Sequence, residues 1–411
     1  MKRILLAATA VLALGTQAAQ AGGFMLMEQS AAGIGRANAG AGVFGDDASA
    51  AWFNPAGMTL MQGKYFQAGT ALGVIDAKYE SKRGGASDNA FDGIVPVPFM
   101  HTTLQLTDSI WAGVSIAVPF GMQTKYKDSF DARDRGIFAK VQTIDVNPSL
   151  AFKVNDAFSV GVGVSAQYGS MELINGKTVQ VTDTTTAKIS TKVKGTDVAW
   201  GVNAGVMFTP REDMRFGLAW RSSVKHDLDG HLYTPSGTTD STVPFKTPQT
   251  VILSGAWDIN PQWTVAGTIR WSDWSVFKEL PVNTRSGHNL ATTKENWKDC
   301  YLFSVGADYR YSDEWTFRAG TAYETSTIRE DKYRMTTVPD SSRLWLSVGA
   351  TWHASKQLQC DVGYLFLHAI GSSPITESAE STQVIGDYKR TNVHMFGVQA
   401  MYSFQSIALI F

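Results

Sequence analysis

Beyond its first 21 residues, the 411-residue chain has no apolar run near the roughly 20 residues that a membrane-spanning helix needs. It has only two cysteines, Cys300 and Cys360, so at most one disulfide could form and no disulfide-stapled scaffold is possible. A formal net charge of −1 leaves no basic field to attract nucleic acid or an anionic surface. Its seven histidines, His353, His368 and His394 among them, are scattered without the spacing of a metal site and read as lumenal or loop residues. No G-x-S-x-G elbow appears, and the histidine scatter suggests no nucleophile and base pair, which argues against a lipase or protease.

These absences do not exclude a membrane. A transmembrane β-strand needs only about 10 residues that alternate lipid-facing apolar with lumen-facing polar positions, so its mean hydropathy stays near neutral. The N-terminus itself signals export. Lys2 and Arg3 precede an apolar run from Ile4 to Leu14, and Ala19-Gln20-Ala21 offers the small residues of a cleavage site. Residues 1–21 therefore read as a signal peptide, with the mature chain starting at Gly22.

From Lys64 onward, period-2 runs recur with turn residues between them. In WTVAGTIRWS, Trp263, Val265, Ile269 and Trp271 fall on one face, with Thr264, Ala266, Thr268, Arg270 and Ser272 on the other. The run YLFSVGADYRY likewise sets Tyr301, Phe303, Val305, Ala307, Tyr309 and Tyr311 against Ser304, Asp308 and Arg310. Short turns, such as Thr107-Asp108, Asn155-Asp156 and Asn260-Pro261, alternate strictly with long polar links, such as Pro119 to Lys140, Ser170 to Lys188 and Thr325 to Ser342. An antiparallel barrel with tight periplasmic turns and large external loops gives this alternation, whereas a soluble sandwich or solenoid has no reason to. The expected fold is an all-β transmembrane antiparallel β-barrel of about fourteen strands over residues 64–411. Ten aromatic residues near strand ends, including Trp315, Trp345, Trp352 and Tyr402, would form its interfacial girdles. The charges Asp308, Arg310, Arg318, Glu324 and Asp361 would point inward, bonded to one another and to whatever fills the lumen.

Residues 22–63 are rich in Gly and Ala and lack an alternation long enough to cross a membrane. A ring of about fourteen strands encloses more space than its own side chains fill. The segment reads as a hatch, or plug, inside the lumen, because a loose periplasmic tail would leave Trp52, Phe53 and Met58 exposed. Within it, GAGVFG, Gly40 to Gly45, fits G-x-G-x-x-G but lacks the flanking strand and helix of a dinucleotide site. The adjacent Asp46 and Asp47 read as capping or solvated carboxylates, with no metal and no cofactor expected.

The stretch GGFMLMEQSAAGIGRANAGAGVFGDDASAAWFNPAGMTLM resembles the N-terminal hatch of the FadL/TodX outer-membrane transporters of long-chain fatty acids and aromatic hydrocarbons. TIDVNPSLAFKVNDAFSVGVGVSAQYGSMEL, WSDWSVFKEL and VPDSSRLWLSVGATW resemble strands of that family's barrel. The chain departs from the pattern in the seven residues after Phe404 and in YETST after the eleventh strand, where many members carry proline. The resemblance implies passive uptake of a hydrophobic solute, most readily a long-chain fatty acid, at the bacterial outer membrane. Capture in an apolar pocket would be followed by hatch rearrangement and lateral release through the wall. By motif position, Phe24 is expected to contact substrate, and Asn54, Pro55 and Ala56 to seat the hatch against a wall strand. The expected partners are the solute and outer-membrane lipids, without nucleic acid, for a chain that needs no second copy to close its edges. The alternatives are an aromatic-hydrocarbon channel of the same fold and a general porin.

The strand order sets Cys300 near the outer end of one strand and Cys360 near the inner end of another, too far apart for a disulfide, which needs Cα atoms within about 7 Å. Thiol labelling of the denatured, unreduced protein is expected to find two free thiols; finding none would contradict this strand order.

Overall fold

A computed structural model describes residues 22–404 apart from 91–92 and 183–184. The proposed signal peptide and the seven residues after Phe404 lie outside the described residues. Fourteen wall strands form one antiparallel ring: β1 Lys64–Ser81, β2 Ile94–Gln105, β3 Ile110–Ala117, β4 Phe138–Lys153, β5 Phe158–Thr182, β6 Thr185–Arg211 and β7 Met214–Arg221, then β8 Thr250–Asn260, β9 Trp263–Ser272, β10 Cys300–Arg310, β11 Trp315–Glu324, β12 Arg343–His353, β13 Leu358–Ala369 and β14 Val384–Phe404. The ring closes where β14 pairs with β1, with Lys64 opposite Phe404, so no strand edge is left over at the seam. Consecutive strands meet at six tight turns on one side, and both ends of the ring, Lys64 and Phe404, lie on that side too.

The two faces separate as the alternation requires. On β9 and β10, Trp263, Ile269, Phe303 and Val305 are exposed to the surroundings while Thr268, Arg270, Ser304 and Asp308 are buried inside. One expected girdle residue is misplaced. Trp345 is fully buried, because β12 turns Arg343, Trp345 and Ser347 inward and Leu344, Leu346 and Val348 outward. Two of the three named histidines are also not lumenal. His394 hydrogen-bonds Tyr364 at 2.8 Å on the outward face, and His368 bonds Asn392 nearby.

The side opposite the tight turns differs from expectation in holding more strand than loop. Ser170 to Lys188 is not a loop: β5 and β6 run on as a hairpin of 25- and 27-residue strands. At about 3.3 Å per residue they reach roughly 80–90 Å, well past a bilayer. Pro119 to Lys140 is only partly a loop, since Gly121–Lys125 pairs with the outer part of β4. Further short strands, Lys225–Thr234 with Gly237–Lys246 and Glu279–Thr284 with Asn289–Lys294, form ribbons over this side.

Residues 22–63 lie within the ring, touching wall strands on all sides. Ser30 caps the short helix α1, Ala31–Gly35, by accepting from Gly33 N at 3.0 Å. The chain then turns through Gly40, Gly42 and Gly45, all at positive φ between 71° and 75°. The GAGVFG stretch thus owes its glycines to left-handed backbone and not to a phosphate. A second helix, α2 Ala50–Phe53, leads through Asn54 into a 3₁₀ turn, Pro55–Leu60, where proline's fixed φ and missing donor suit the first position.

Candidate functional site

The N-terminal segment is held at its base by charge. Arg36 reaches Asp46 at 2.7 Å and Asp308 of β10 at 2.9 Å; Arg318 of β11 bridges Asp308 and Asp361, each at 3.3 Å. Asp47 accepts from Gln399 at 3.2 Å and from the Ser30 hydroxyl. The expected inward bonding of Asp308, Arg318, Glu324 and Asp361 holds, whereas Arg310 is exposed at the end of its strand. Wall glycines receive the segment's backbone. A Cβ at Gly363 would lie 2.4 Å from Ala31 O, and one at Gly320 would lie 2.2 Å from Arg36 O.

Asn54, Pro55 and Ala56 form a second seat. The Asn54 amide Nδ2 donates to Val206 O of β6 at 3.0 Å, and its Oδ1 accepts from Ala56 N at 3.1 Å. The turn presses on paired wall glycines: a Cβ at Gly205 would be 2.0 Å from Asn54 Oδ1, and one at Gly161 would be 2.5 Å from Ala56 N. The motif's position in the sequence suggested contact with a wall strand. The matching glycines could not be paired until the register of β5 and β6 was known.

The outer half is built differently. β2 and β3 pair only as far as Met100 opposite Ile116; beyond that β2 keeps its ladder with β1 alone. Pro96 and Pro98 lie in this half-paired stretch, and proline is tolerated only where a strand edge lacks a ladder partner. The chain after β3 has parted from β2, while Gly121–Lys125 still pairs with β4. Its Pro119 O accepts from Leu26 N, and its Gly121 N donates to Phe24 O, both at 2.8 Å, making Met25 and Phe120 antiparallel bridge partners. Gln29 mimics a further strand residue: its Nε2 donates to Val118 O at 2.8 Å and its Oε1 accepts from Val118 N at 3.3 Å. His101 of β2 fixes Gln29 in turn, donating through Nε2 to Gln29 O at 2.8 Å while its Nδ1 accepts from Ser115 at 3.0 Å. The N-terminal segment has taken the place in the ladder that β2 gave up.

Phe24 is 2% exposed, with its ring inside a cage of Phe120, Phe245, Trp274, Phe277 and Trp297, at centroid distances from 4.7 Å to 6.3 Å. Edge-on contacts dominate, the arrangement that ring quadrupoles favour. Around this chamber lie Met122, Val141, Leu280 and Val282. Close by, burial pushes the Glu28 carboxyl up to about 7 and, over the chamber, the Glu295 carboxyl up to about 8, where Trp297 Nε1 donates to it at 3.1 Å. Gln29, His101 and the cage residues escaped sequence reasoning. The prolines at 96, 98 and 119 are the one sequence feature that could have pointed to a defect in the wall. Among the described residues no cluster of His, Cys, Asp and Glu could hold a metal ion, and Cys300 and Cys360 are free.

A closed ring with an apolar outer band, a filled lumen, a break in its wall and an aromatic chamber defines a membrane transport barrel. The chain belongs to the outer membrane protein transport protein family (OMPP1/FadL/TodX), whose profile matches residues 12–404. It is 31% identical to the long-chain fatty acid transport protein of Escherichia coli O6:H1, over 97% of each chain. It is 28% identical to outer membrane protein P1 of Haemophilus influenzae, over 88% of this chain and 89% of that one. Its fold matches the crystal structure of a Pseudomonas aeruginosa FadL homologue with a TM-score of 0.85 at 23% identity, over 93% of this chain and 100% of the other. The Ralstonia pickettii toluene transporter TbuX gives a TM-score of 0.69 at 21% identity, covering 92% and 98%. The protein is an outer-membrane barrel of a family of transporters.

Gly205→Val should force Asn54 off its seat, at a cost of about 1–3 kcal/mol for overpacking. Limited proteolysis of the folded barrel should then cut within residues 22–63 several-fold faster than in wild type; an unchanged rate would show that Asn54-Pro55-Ala56 does not depend on this contact.

Proposed function

We propose that the protein admits long-chain fatty acids through the outer membrane by passive diffusion, with the segment 22–63 acting as a hatch whose tip is the moving part. The observation that carries this reading is the placement of Phe24. It fills an aromatic chamber on the outer side of the hatch, and the backbone beside it is hydrogen-bonded to the residues whose departure leaves β2 half-paired. An apolar solute gains about 0.8 kcal/mol for each CH₂ it buries, so a chain of many carbons can compete with one phenyl ring for the chamber. Displacing Phe24 would loosen the bonds at Leu26 and Gln29. The chamber would then connect with the gap beside β2, and the solute would leave sideways into the bilayer. Asn54, Pro55 and Ala56 belong to the part that stays fixed. No cofactor or energy source enters the scheme, because each step runs downhill from water to apolar surroundings.

The similarity to fatty acid transport proteins supports the acid as substrate; the similarity in fold to toluene transporters keeps the monoaromatic hydrocarbon as the second reading. A general porin is disfavoured by the packed lumen.

Cells lacking their own transporter and expressing this chain should take up a labelled long-chain fatty acid, and Phe24→Ala should change the rate by severalfold while leaving the amount of folded barrel unaltered. Uptake of an alkylbenzene alone would select the second reading, and large stable conductance steps in a planar bilayer would favour the porin.

A further inference from the structure

A separate cavity of about 50 Å³ lies beside the chamber, between the N-terminal segment and the junction of β6, β7 and β8. Met25 and Phe120 line it as well as the Phe24 chamber, so the two spaces share a wall. It also reaches the outward-facing Trp220 and Ala204. The barrel is irregular here. The ladder between β6 and β7 stops at Asn203 opposite Arg221, and β6 finds its next partner only at Thr196 opposite Asp229.

Arg221 stands at this interruption with its guanidinium stacked on the Trp52 ring, 3.6 Å from the centroid. It donates to Ser165 Oγ and to Trp52 O, each at 2.9 Å, both neutral oxygens. Among the described residues no carboxylate lies within ion-pair distance of it. The other arginine lining the cavity, Arg270, is already paired with Glu324. Asp145, the carboxylate whose charge acts on Arg221, is itself held by Gln167 at 2.9 Å. An arginine fork has five N–H donors and binds a carboxylate with two of them in parallel. A cation in a largely apolar wall, whose carboxylate neighbour Asp145 is reached only through the Ser165 hydroxyl, gains from an anion that can bind it directly.

We propose that Arg221 is the anion seat of the transport path and holds the carboxylate of a long-chain acid in this cavity. The space accommodates a carboxyl group and little more, so the acyl chain runs past Met25 and Phe120 into the chamber that Phe24 vacates. This assignment rests on the transport reading above and narrows it to carboxylated solutes. It also gives Trp52 a role, because the ring that stacks on the guanidinium is part of the hatch and ties the seat to it.

The test is equilibrium binding of a long-chain fatty acid and its methyl ester to purified wild type, Arg221→Lys and Arg221→Met, with the heat-modifiable gel shift reporting barrel folding. The acid-to-ester affinity ratio should fall by about tenfold to a hundredfold in Arg221→Met, in keeping with loss of a charge-assisted pair. In Arg221→Lys it should fall less, because the charge survives without the fork. A purely structural arginine would lower acid and ester affinities together and leave the ratio unchanged; that result overturns the assignment. Wild type that binds ester and acid equally also overturns it, yet leaves the apolar-solute reading standing, whereas wild type that binds neither overturns both.

Discussion

The structure depends on a set of hydrogen bonds that cross from the lumen to main-chain groups of the wall. A strand that leaves its ladder in a membrane barrel exposes donors and acceptors that lipid cannot satisfy, at several kcal/mol for each group. Here the cost is met from inside: Phe24, Leu26 and Gln29 bond Val118, Pro119 and Gly121, and prolines at 96 and 98 remove donors from the strand left behind. The break in the wall and the conformation of the N-terminus are therefore two aspects of one arrangement.

This arrangement divides the N-terminal segment into a base and a tip. At the base, two arginines, Arg36 and Arg318, and three carboxylates, Asp46, Asp308 and Asp361, form a largely buried charge network. Taking one member of such a network away costs about 3–5 kcal/mol, since it strands its partner. Glycines at 161, 205, 320 and 363 let the backbone approach the wall closely. At the tip, the holding forces are a few hydrogen bonds, mostly neutral and each contributing about 1 kcal/mol net, and the burial of Phe24 with Met25, Leu26 and Met27 beside it. In the proposed scheme a solute that replaces the ring would compensate for part of what is lost, so motion would cost less at the tip than at the base.

The ring was legible in the sequence because its causes are local. Alternation over ten residues and the rhythm of short turns and long links report the two faces and the strand count directly, as Trp263 to Ser272 illustrates. Trp345 was misread because strand-end position and face are separate variables, and only the register with β11 and β13 sets the latter. The hairpin of β5 and β6 was missed because polar alternation outside the membrane resembles a loop. For the site, Phe24 and Asn54-Pro55-Ala56 could be named from motif position, but the cage of Phe120, Phe245, Trp274, Phe277 and Trp297 gathers residues from links far apart in the chain. Gln29 acting as a surrogate strand has no sequence signature: its amide replaces a backbone amide only once Val118 has turned inward.

In the proposed scheme the tip and the wall are coupled. Met25 and Phe120 are bridge partners, and antiparallel partners have Cα atoms about 4.5–5.5 Å apart, within reach of a disulfide. The decisive measurement is fatty acid uptake by Met25→Cys/Phe120→Cys in a chain whose own two cysteines are serine, before and after reduction. Coupling predicts that the oxidised protein is blocked and that reduction restores uptake; equal uptake in both states would show that solute crosses without parting the N-terminal segment from the wall.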